Sequence, residues 1–429
     1  MLKKLFKWFK KDVVHATIVP RAEHGISRDN ISKNALKVLY RLHNAGFGAF
    51  LVGGCIRDLL LGKHPKDFDI ATNADPEQVK QLFSNCRLIG RRFRLAHVHF
   101  GSEIIEVATF RAPHVASSVQ NVHGMILRDN EWGSIEEDVL RRDFTINALY
   151  YNIADFSVVD FVSGMQDIKK QQLNLIGNPE KRYREDPVRM LRAIRFAAKL
   201  GFSIHPNSAK PILTMGNLLA NVPAARLFEE YNKLFLTGHA YSTYNLLIEY
   251  DLFKQLFPRT AKLPVNDPFV VAALRNTDAR IAAEKSISPS FLLAVFSWQP
   301  LQELAQRIDF HDAMDQILRE QQRVMAVPRR FVGMIRDVWE VQQRLEHRRT
   351  PRQIESLFAL SKFRAAYDFL LLRAQAGEQQ VIPSAEWWRT YVEGDEDVRN
   401  KLLAKIKPSK RKKKKPKVNT DTLSGTQSC

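Results

Sequence analysis

The spacing of apolar residues predicts a helix near the start of the chain. Apolar side chains recur there at intervals of three and four residues, which places them on one helix face: Ile31, Ala35, Val38, Leu39 and Leu42. Ser27 or Asp29 is the expected N-cap, and Gly46 is the expected end. We interpret residues 1–24, which precede this helix, as a basic N-terminal tail.

Short apolar runs after this helix predict a small mixed sheet with helices on one side. A helix over 56–61 separates the first two strands, and Asp75-Pro76-Glu77 begins another helix because proline suits the first helical position. The predicted strands cover residues 50–52, 68–71, 96–100 and 104–110.

The second half of the chain has a different pattern. Residues 112–130 lack periodicity and predict a mobile loop, whereas the sequence from Tyr183 onward is almost wholly helical in pattern. Prolines predict the helix breaks: Pro206, Pro223, Pro258, Pro264, Pro300, Pro328 and Pro351. We expect an α/β head over 25–155, a helical neck over 156–260, a helical body over 261–404 and a basic disordered tail over 405–429.

Length and composition fit a globular protein with two or more domains, since the chain has 429 residues and is 45% hydrophobic. No stretch reaches the roughly 20 apolar residues that a membrane helix needs, and the N-terminus lacks an uninterrupted apolar signal core. Cys55, Cys86 and Cys429 lie far apart, which favours neither disulfides nor a zinc site. A reducing, cytoplasmic location is therefore expected.

Positive charge is concentrated at both ends of the chain. The net charge is +19, of which residues 1–12 carry +4 and residues 405–429 carry +8. Such tails favour salt-sensitive binding to nucleic acid, although a solvated, disordered end has the same composition. Residues 1–11 also have an amphipathic pattern that is able to lie on a membrane surface, and RNA contact or disorder explains the same lysines.

The richest chemistry lies between residues 51 and 70. An apolar run ends at Gly53-Gly54, Arg57-Asp58 follow, and Asp67 and Asp69 come about ten residues later. Residues i and i+2 of a strand share a face, so Asp67 and Asp69 would direct two carboxylates at one point. Like charges at that distance favour a bound cation, and hard oxygen ligands suit Mg²⁺ together with substrate phosphates.

This combination of motifs resembles the nucleotidyltransferase superfamily, in the branch that contains bacterial poly(A) polymerases and CCA-adding tRNA nucleotidyltransferases. The resemblance implies a nucleotidyltransferase head in which Asp67 and Asp69 are catalytic and hold Mg²⁺. It implies that Gly53, Gly54 and Arg57 position phosphates. Asp58 either orients Arg57 or caps the following helix.

A third carboxylate is expected in such a site, and the chain offers two candidates. Glu106 lies in an apolar strand, where a buried charge needs compensation. Asp143 lies in Arg-Arg-Asp-Phe-Thr-Ile-Asn-Ala, which resembles the second motif of the family. The resemblance implies a catalytic Asp143, with Arg142 on phosphate and Asn147 shaping the nucleotide pocket; the alternative for Asp143 is a structural ion pair.

A further motif begins at Glu185-Asp186-Pro187. Asp186, Arg189, Arg192 and Arg195 recur every three residues. Arginine side chains this close together require anionic groups beside them. The element resembles the family's nucleotide-recognition motif, which implies that Asp186 and Arg189 read the base edge. Arg192 and Arg195 would face phosphates or brace the pocket. Asp186 is alternatively only a helix N-cap.

The segment 88–100 distinguishes the two branches of the family. It resembles the bacterial poly(A) polymerases, as does His24-Gly-Ile-Ser-Arg more weakly. Its cations and Phe93 would grip an RNA end by charge and stacking. His97 and His99 are a less favoured metal pair without a third ligand. The expected RNA-binding residues are Arg91, Arg92, Arg94, Lys412, Lys413, Lys414 and Lys415.

The resemblance implies template-independent addition of AMP from ATP to RNA 3′ ends, with release of pyrophosphate and a two-Mg²⁺ mechanism. It implies a role in mRNA polyadenylation and RNA decay, with decay proteins as candidate partners. CCA addition to tRNA is the first alternative, and a non-catalytic RNA-binding protein is the second. A P-loop NTPase is disfavoured because the sequence contains no GxxxxGK[ST] motif.

Overall fold

The computed structural model describes residues 15–90, 94–112, 132–347 and 350–406. The predicted loop over 112–130 and the basic ends fall almost entirely outside these ranges. Internal contacts divide the chain into two units. The first contains the residues up to Asp267 with Leu274–Pro289 and Gln299–Pro328, and the second contains Pro268–Ala273, Ser290–Trp298 and the residues from Arg329 onward.

An eight-stranded mixed sheet forms the α/β part of the first unit. Its order is β1-β8-β7-β2-β3-β6-β5-β4, and β3 and β6 are its parallel pair among antiparallel neighbours. The α/β head is therefore confirmed, with a larger sheet than expected. The strands are β1 Thr17–Val19, β2 Ala49–Val52, β3 Asp69–Thr72, β4 Cys86–Ile89, β5 Leu95–Phe100, β6 Glu103–Thr109, β7 Leu149–Asn152 and β8 Val158–Asp160.

Two strands correct the expected boundaries of the head. β1 lies inside the segment 1–24 that the sequence suggested to be a tail, and it pairs antiparallel with β8. Its residues are β-branched, which suits a short edge strand, and Ile18 remains 62% exposed. Because β8 belongs to the same sheet, the head continues through Asp160 and does not stop at residue 155.

Four helices accompany these strands: α1 Lys33–Asn44, α2 Gly54–Leu60, α3 Pro76–Leu82 and α4 Ile135–Arg141. The predicted apolar face of α1 is buried, but its cap was predicted wrongly. Ser32 caps α1 by accepting from the backbone N–H groups of Asn34 and Ala35, whereas Ser27 caps a separate 3-10 turn. Asp75 begins α3 with a reciprocal capping box, as its sequence indicates.

Helices dominate the remaining chain, which confirms the predicted all-α half. Pro206 and Pro351 begin helices, but Pro300 lies inside one, because buried neighbours such as Phe296 and Leu301 outweigh one lost backbone hydrogen bond. The helices are α5 Gly164–Lys169, α6 Pro179–Glu185, α7 Val188–Leu200, α8 Pro206–Met215, α9 Ala224–Phe235, α10 Ala240–Glu249, α11 Phe253–Leu256, α12 Pro268–Ala282, α13 Pro289–Ala305, α14 Phe310–Val324, α15 Arg329–Glu346, α16 Pro351–Phe358, α17 Phe363–Gln375, α18 Ile382–Glu393 and α19 Glu396–Ala404.

Two smaller features complete the description. Strands β9 Gln172–Leu173 and β10 Ser203–Ile204 form a separate parallel pair in the first unit. The second unit has its own apolar core, in which Tyr367, Trp388 and Tyr391 pack together. Among the helices in the described ranges, none is both long enough and apolar enough to cross a bilayer.

Candidate active site

Two acids from neighbouring strands lie side by side at one edge of the site. β3 and β6 pair in parallel with Asp69 opposite Glu106, so both side chains project from the same face. Asp67 precedes β3 by two residues, and the intervening Phe68 is buried while both aspartates are exposed. The alternation agrees with the predicted shared direction of Asp67 and Asp69.

The electrostatics of these acids favour a bound cation. Desolvation, the charge of Glu106 and the charge of Asp67 together raise the pKa of Asp69 to about 6, against the opposing charge of Arg142. Neither Asp67 nor Asp69 has a side-chain hydrogen bond or ion pair with another described residue. Unneutralised carboxylates of this kind suit a divalent ion that takes further ligands from phosphate and water. Within the described ranges, no three His, Cys, Asp or Glu side chains form a complete metal site on their own.

A histidine side chain, that of His97, lies close to Glu106. His97 Nε2 lies 3.5 Å from Glu106 Oε1, because His97 is opposite Glu106 in the antiparallel pairing of β5 and β6. The rings of His97 and His99 are 6.4 Å apart. Among the described residues no third ligand completes a metal site with this less favoured pair, and His97 is a neighbour of Glu106.

Gly53 and Gly54 make the turn between β2 and α2. Gly53 has a φ of +81°, a conformation that glycine adopts without strain. A Cβ atom on Gly53 would lie 3.7 Å from Arg142 Nη1, so the backbone of this turn faces that guanidinium. The turn thus presents bare backbone next to a cation.

Arg57 is buried and held by several partners. Its Nη1 donates to Asn147 Oδ1 at 2.6 Å, its Nε donates to Asp58 Oδ1 at 2.8 Å, and its guanidinium lies over the ring of Phe196. Asp58 lies within α2, so it orients Arg57 and does not cap the helix. Arg57 therefore fixes the wall of the site as well as lining it.

Arg142 is anchored from one side by a network that the motif did not reveal. Its Nε and Nη2 donate to Asp138 Oδ2 at 3.1 and 2.9 Å, and Nε also donates to Tyr150 Oη at 2.8 Å. Tyr150 in turn donates to Asp138 at 2.6 Å. Despite desolvation, these partners raise the pKa of Arg142. Its Nη1 has no hydrogen-bond partner among the described residues and faces Gly53.

Asp143 is engaged in an ion pair. Arg192 Nε and Nη2 donate to Asp143 Oδ2 at 2.6 and 2.5 Å, and Asp143 Oδ1 accepts from the Phe144 backbone and from Asn147. Desolvation works to raise the pKa of Asp143, but Arg192 and these donors outweigh it and lower the pKa to about 2. Glu106, not Asp143, is the acid in register with Asp69.

The third motif lies between α6 and α7. Asp186 Oδ1 accepts from the Val188 backbone at 3.3 Å, which is a cap-like bond, and Asp186 Oδ2 accepts from Arg226 Nη2 of α9 at 2.7 Å. Arg189 Nη1 donates to the Arg182 carbonyl at 2.8 Å, and burial lowers the pKa of Arg189 to about 10. Asp186 is thus both a local cap and a partner of a distant helix.

A cavity of about 540 Å³ in the first unit brings most of the predicted residues together. Its size is typical of small-molecule sites. The predicted residues that line it are Gly53, Gly54, Arg57, Asp69, Arg142, Asp143, Asn147, Asp186, Arg189, Arg192 and Arg195. The lining residues that sequence reasoning missed are Arg141, Phe196, Arg226, Glu229, Glu230 and Lys233.

Other predicted residues fall elsewhere. Asp67 and Glu106 are not among the described residues that line the cavity. Arg94 forms an exposed ion pair with Glu77. Arg91, Arg92, Lys412, Lys413, Lys414 and Lys415 lie outside the described residues.

Glu230 Oε2 and Arg195 Nε are buried polar atoms of the cavity lining that lack hydrogen-bond partners within the described chain. Glu230 is 4% exposed, and its other oxygen accepts from Lys233 at 3.0 Å. A buried acceptor and a buried donor without partners are costly unless a ligand satisfies them. Both atoms are therefore consistent with a polar ligand in the cavity.

Three family models match the chain. A poly(A) polymerase head domain matches residues 49–174, a probable RNA- and SrmB-binding site of polymerase A matches 201–263, and an arginine-rich C-terminus of polymerase A matches 302–421.

Individual relatives agree with these models. Poly(A) polymerase I of Salmonella typhimurium is 52% identical over 400 residues, which cover 88% of this chain and 86% of that protein. A CCA-adding enzyme of Lactobacillus helveticus is 36% identical over 218 residues, or 51% of this chain and 53% of that one. A crystal structure of the Bacillus stearothermophilus CCA-adding enzyme in complex with CTP has a TM-score of 0.58 and 26% identity, with 86% of this chain and 82% of that chain covered.

Proposed function

The chain belongs to the poly(A) polymerase I family, and from this premise we propose that it is a template-independent polynucleotide adenylyltransferase. It transfers AMP from ATP to the 3′-hydroxyl of RNA and releases pyrophosphate. The observation that carries the proposal is a single cavity that is lined by residues of all three motifs. One of these lining residues is Asp69, whose pKa is raised. Its cellular roles are mRNA polyadenylation and RNA decay in the cytoplasm, with decay proteins as partners.

Asp67 and Asp69 are the proposed Mg²⁺ ligands, and Glu106 is the additional carboxylate. Bound there, Mg²⁺ would make the RNA 3′-hydroxyl more acidic and neutralise charge on the triphosphate. The support for these assignments is the register of Asp69 with Glu106 and the like-charge repulsion that Glu106 and Asp67 exert on Asp69.

The triphosphate is proposed to lie against the Gly53-Gly54 backbone. Arg142 Nη1 faces this turn and has no hydrogen-bond partner among the described residues, so its donors are available to phosphate. The other two nitrogens of the Arg142 guanidinium are held by Asp138 and Tyr150. Arg57 acts mainly by positioning, since Asn147 and Asp58 already take its donors. The backbone amides and one guanidinium would thus share the phosphate oxygens.

The nucleoside is proposed to lie along α7. Asp186 and Arg189 would read the base edge, with Arg226 fixing the direction of the Asp186 carboxylate. Asp143 and Arg192 form a rigid pair in the same lining, with Asn147 beside it, and Arg195 keeps a buried donor available to the ligand. Asp143 would therefore support the nucleotide site while Asp69 and Asp67 serve the metal.

RNA contact is proposed for Arg94 and for residues outside the described ranges: Arg91, Arg92, Lys412, Lys413, Lys414 and Lys415. Their charge suits a sequence-independent grip on the phosphate backbone. For residues 1–11 we favour RNA over a membrane surface, because the proposed substrate is itself a polyanion.

CCA addition to tRNA is the second candidate function, since a CCA-adding enzyme matches half of the chain. Purified protein incubated with unstructured RNA or tRNA and single nucleotides separates the two. We expect long tails from ATP alone on unstructured RNA. Incorporation of CTP on tRNA in preference to ATP would contradict the proposal, and absence of any metal-dependent ATP turnover would favour a non-catalytic RNA-binding protein.

A further inference from the structure

A second concave surface of the first unit shares no lining residue with the active-site cavity. It has a volume of about 620 Å³ and is lined by one side of α1 together with residues that flank β4 and β5. We call it the α1 groove. Its lining residues are Lys33, Leu36, Lys37, Tyr40, Arg41, Asn44, Phe83, Asn85 and Phe100.

Sequence periodicity explains why cations collect in the α1 groove. Lys33, Lys37 and Arg41 are spaced four residues apart, so they form a row along one side of α1. The apolar residues of α1 face the core instead, and all three cations are exposed. The helix therefore presents a straight line of positive charge to solvent.

No ion pair among the described residues neutralises this charge. None of the groove's lining residues, all of which are described, is acidic. Lys33, Lys37 and Arg41 have no ion pair with another described residue. The acid nearest the start of α1 is Glu103, and its two oxygens already accept hydrogen bonds from Ser32 and Asn34. A row of three uncompensated cations in a concavity favours an anionic ligand.

Aromatic rings lie beside these cations. The Arg41 guanidinium is 5.1 Å from the centre of the Phe83 ring, Phe100 is half-buried, and Tyr40 accepts from Arg28 at 2.8 Å through its hydroxyl. Phe83 is only 3% exposed beneath Arg41, so the half-buried rings of Tyr40 and Phe100 are the ones that a base could reach. Cations beside accessible rings are typical of single-stranded nucleic acid sites, where phosphates and bases are bound together. An acidic peptide would use the cations but would leave Phe100 without a stacking partner.

We propose that the α1 groove binds a segment of single-stranded RNA upstream of the 3′ end, as a second site on the substrate. The inference rests on the proposed function for the identity of its ligand. Lys33, Lys37 and Arg41 contact successive phosphates, and Phe100 stacks on a base. The groove thereby holds RNA that is too long to be contained in the active-site cavity.

The test compares two variants that lose the same charge. One is Lys33→Gln/Lys37→Gln/Arg41→Gln, and the control is Lys169→Gln/Lys170→Gln/Lys285→Gln, whose lysines are exposed in the same unit, do not line the groove and lie outside the segment matched as RNA-binding. Fluorescence anisotropy without ATP measures the affinity for oligoadenylates of about six and about twenty nucleotides. Thermal unfolding checks that both variants remain folded.

We expect the groove variant to bind the longer RNA about tenfold more weakly than the control does. The slope of log affinity against log salt concentration should become shallower by about two, because each contact to a single-strand phosphate contributes about 0.7 to that slope. Binding of the short RNA should change less than about twofold in either variant. Phe100→Leu should weaken binding of the longer RNA without changing the salt dependence, since it removes stacking and no charge.

Equal losses in the groove variant and the control, or no loss in either, would overturn the inference. The binding measurement contains no ATP, so its outcome is separate from that of the proposed activity. If the wild-type protein fails to extend the short RNA with ATP, the proposed function fails whatever the groove binds.

Discussion

Asp69 and Glu106 are paired directly across the parallel strands β3 and β6, which places two carboxylates on one face with Asp67 two residues away. The arrangement is costly without a cation, as the pKa of about 6 for Asp69 indicates. Two carboxylates placed this close together are favourable only when a bound divalent ion shares their negative charge. The first prediction follows from this relationship.

Glu106→Gln should lower the pKa of the Asp69 carboxyl, because it removes the nearest like charge while keeping the side-chain size. Carboxyl-carbon NMR titration of wild type and variant in metal-free buffer measures the shift. Glu103→Gln is the control, since Glu103 lies on the same strand and is occupied by Ser32 and Asn34. An unchanged Asp69 titration in Glu106→Gln would show that the two acids do not interact.

The ion pair between Asp143 and Arg192 should make a contribution to stability that is lost in acid. Its pKa is about 2 in the folded chain and about 3.9 when unfolded, so the pair with Arg192 stabilises the protein above pH 4. That contribution of about 2 kcal/mol is lost as the pH falls from 4 towards 2. Urea unfolding should therefore show Asp143→Asn destabilised at pH 7, with the difference from wild type shrinking below pH 4. A difference that is constant across this range would contradict the ion pair.

Gly53→Ala should damage both stability and catalysis. A side chain at a φ of +81° costs about 1 to 3 kcal/mol, and relief of that strain would move the turn away from Arg142. Gly62→Ala is the matched control, since Gly62 also has a positive φ, at +70°, in open space outside the cavity lining. We expect similar losses of melting temperature but an increase in KM for ATP in Gly53→Ala alone. Equal KM values in the two variants would argue against phosphate binding at the turn.

Arg226→Gln should loosen nucleotide selection. It releases Asp186 from its partner on α9, so the carboxylate loses its fixed direction. We expect the preference for ATP over CTP, measured as a ratio of kcat/KM values, to fall about tenfold, which corresponds to about 1.4 kcal/mol. Arg184→Gln serves as control because Arg184 forms an exposed pair with Glu180. An unaltered preference for ATP over CTP in Arg226→Gln would contradict the proposed role of Asp186 in base recognition.

Local sequence predicted most of the site because its motifs are contiguous. The Gly53-Gly54 turn, the paired aspartates and the α7 arginines are each defined by spacing within one short element. The partners that were missed lie outside the recognised motifs: Asp138 and Tyr150, four and eight residues from Arg142, hold its guanidinium, and Arg226 holds Asp186 from 40 residues away. Arg226 and Asp186 are too far apart for a short window of sequence, whereas the bonds of Asp138 and Tyr150 to Arg142 depend on side-chain geometry that the local sequence does not specify.

The fold shows the same division between local and distant information. The face of α1 was predicted from its periodicity, whereas β1 and β8 are only three residues each and have no periodic signal of their own. Their pairing with one another and with β7 defines them. Ser27 or Asp29 was predicted as the cap of α1 because sequence alone does not reveal that both belong to a separate 3-10 turn, which precedes the true cap, Ser32.

The most direct test of the account is AMP incorporation into unstructured RNA by Asp69→Asn at saturating Mg²⁺ and ATP. As a proposed Mg²⁺ ligand, Asp69 would contribute several kcal/mol to stabilisation of the transition state, so we expect a rate at least about a hundredfold below wild type, with unchanged thermal unfolding. A folded Asp69→Asn variant that incorporates AMP at a rate close to wild type would contradict it.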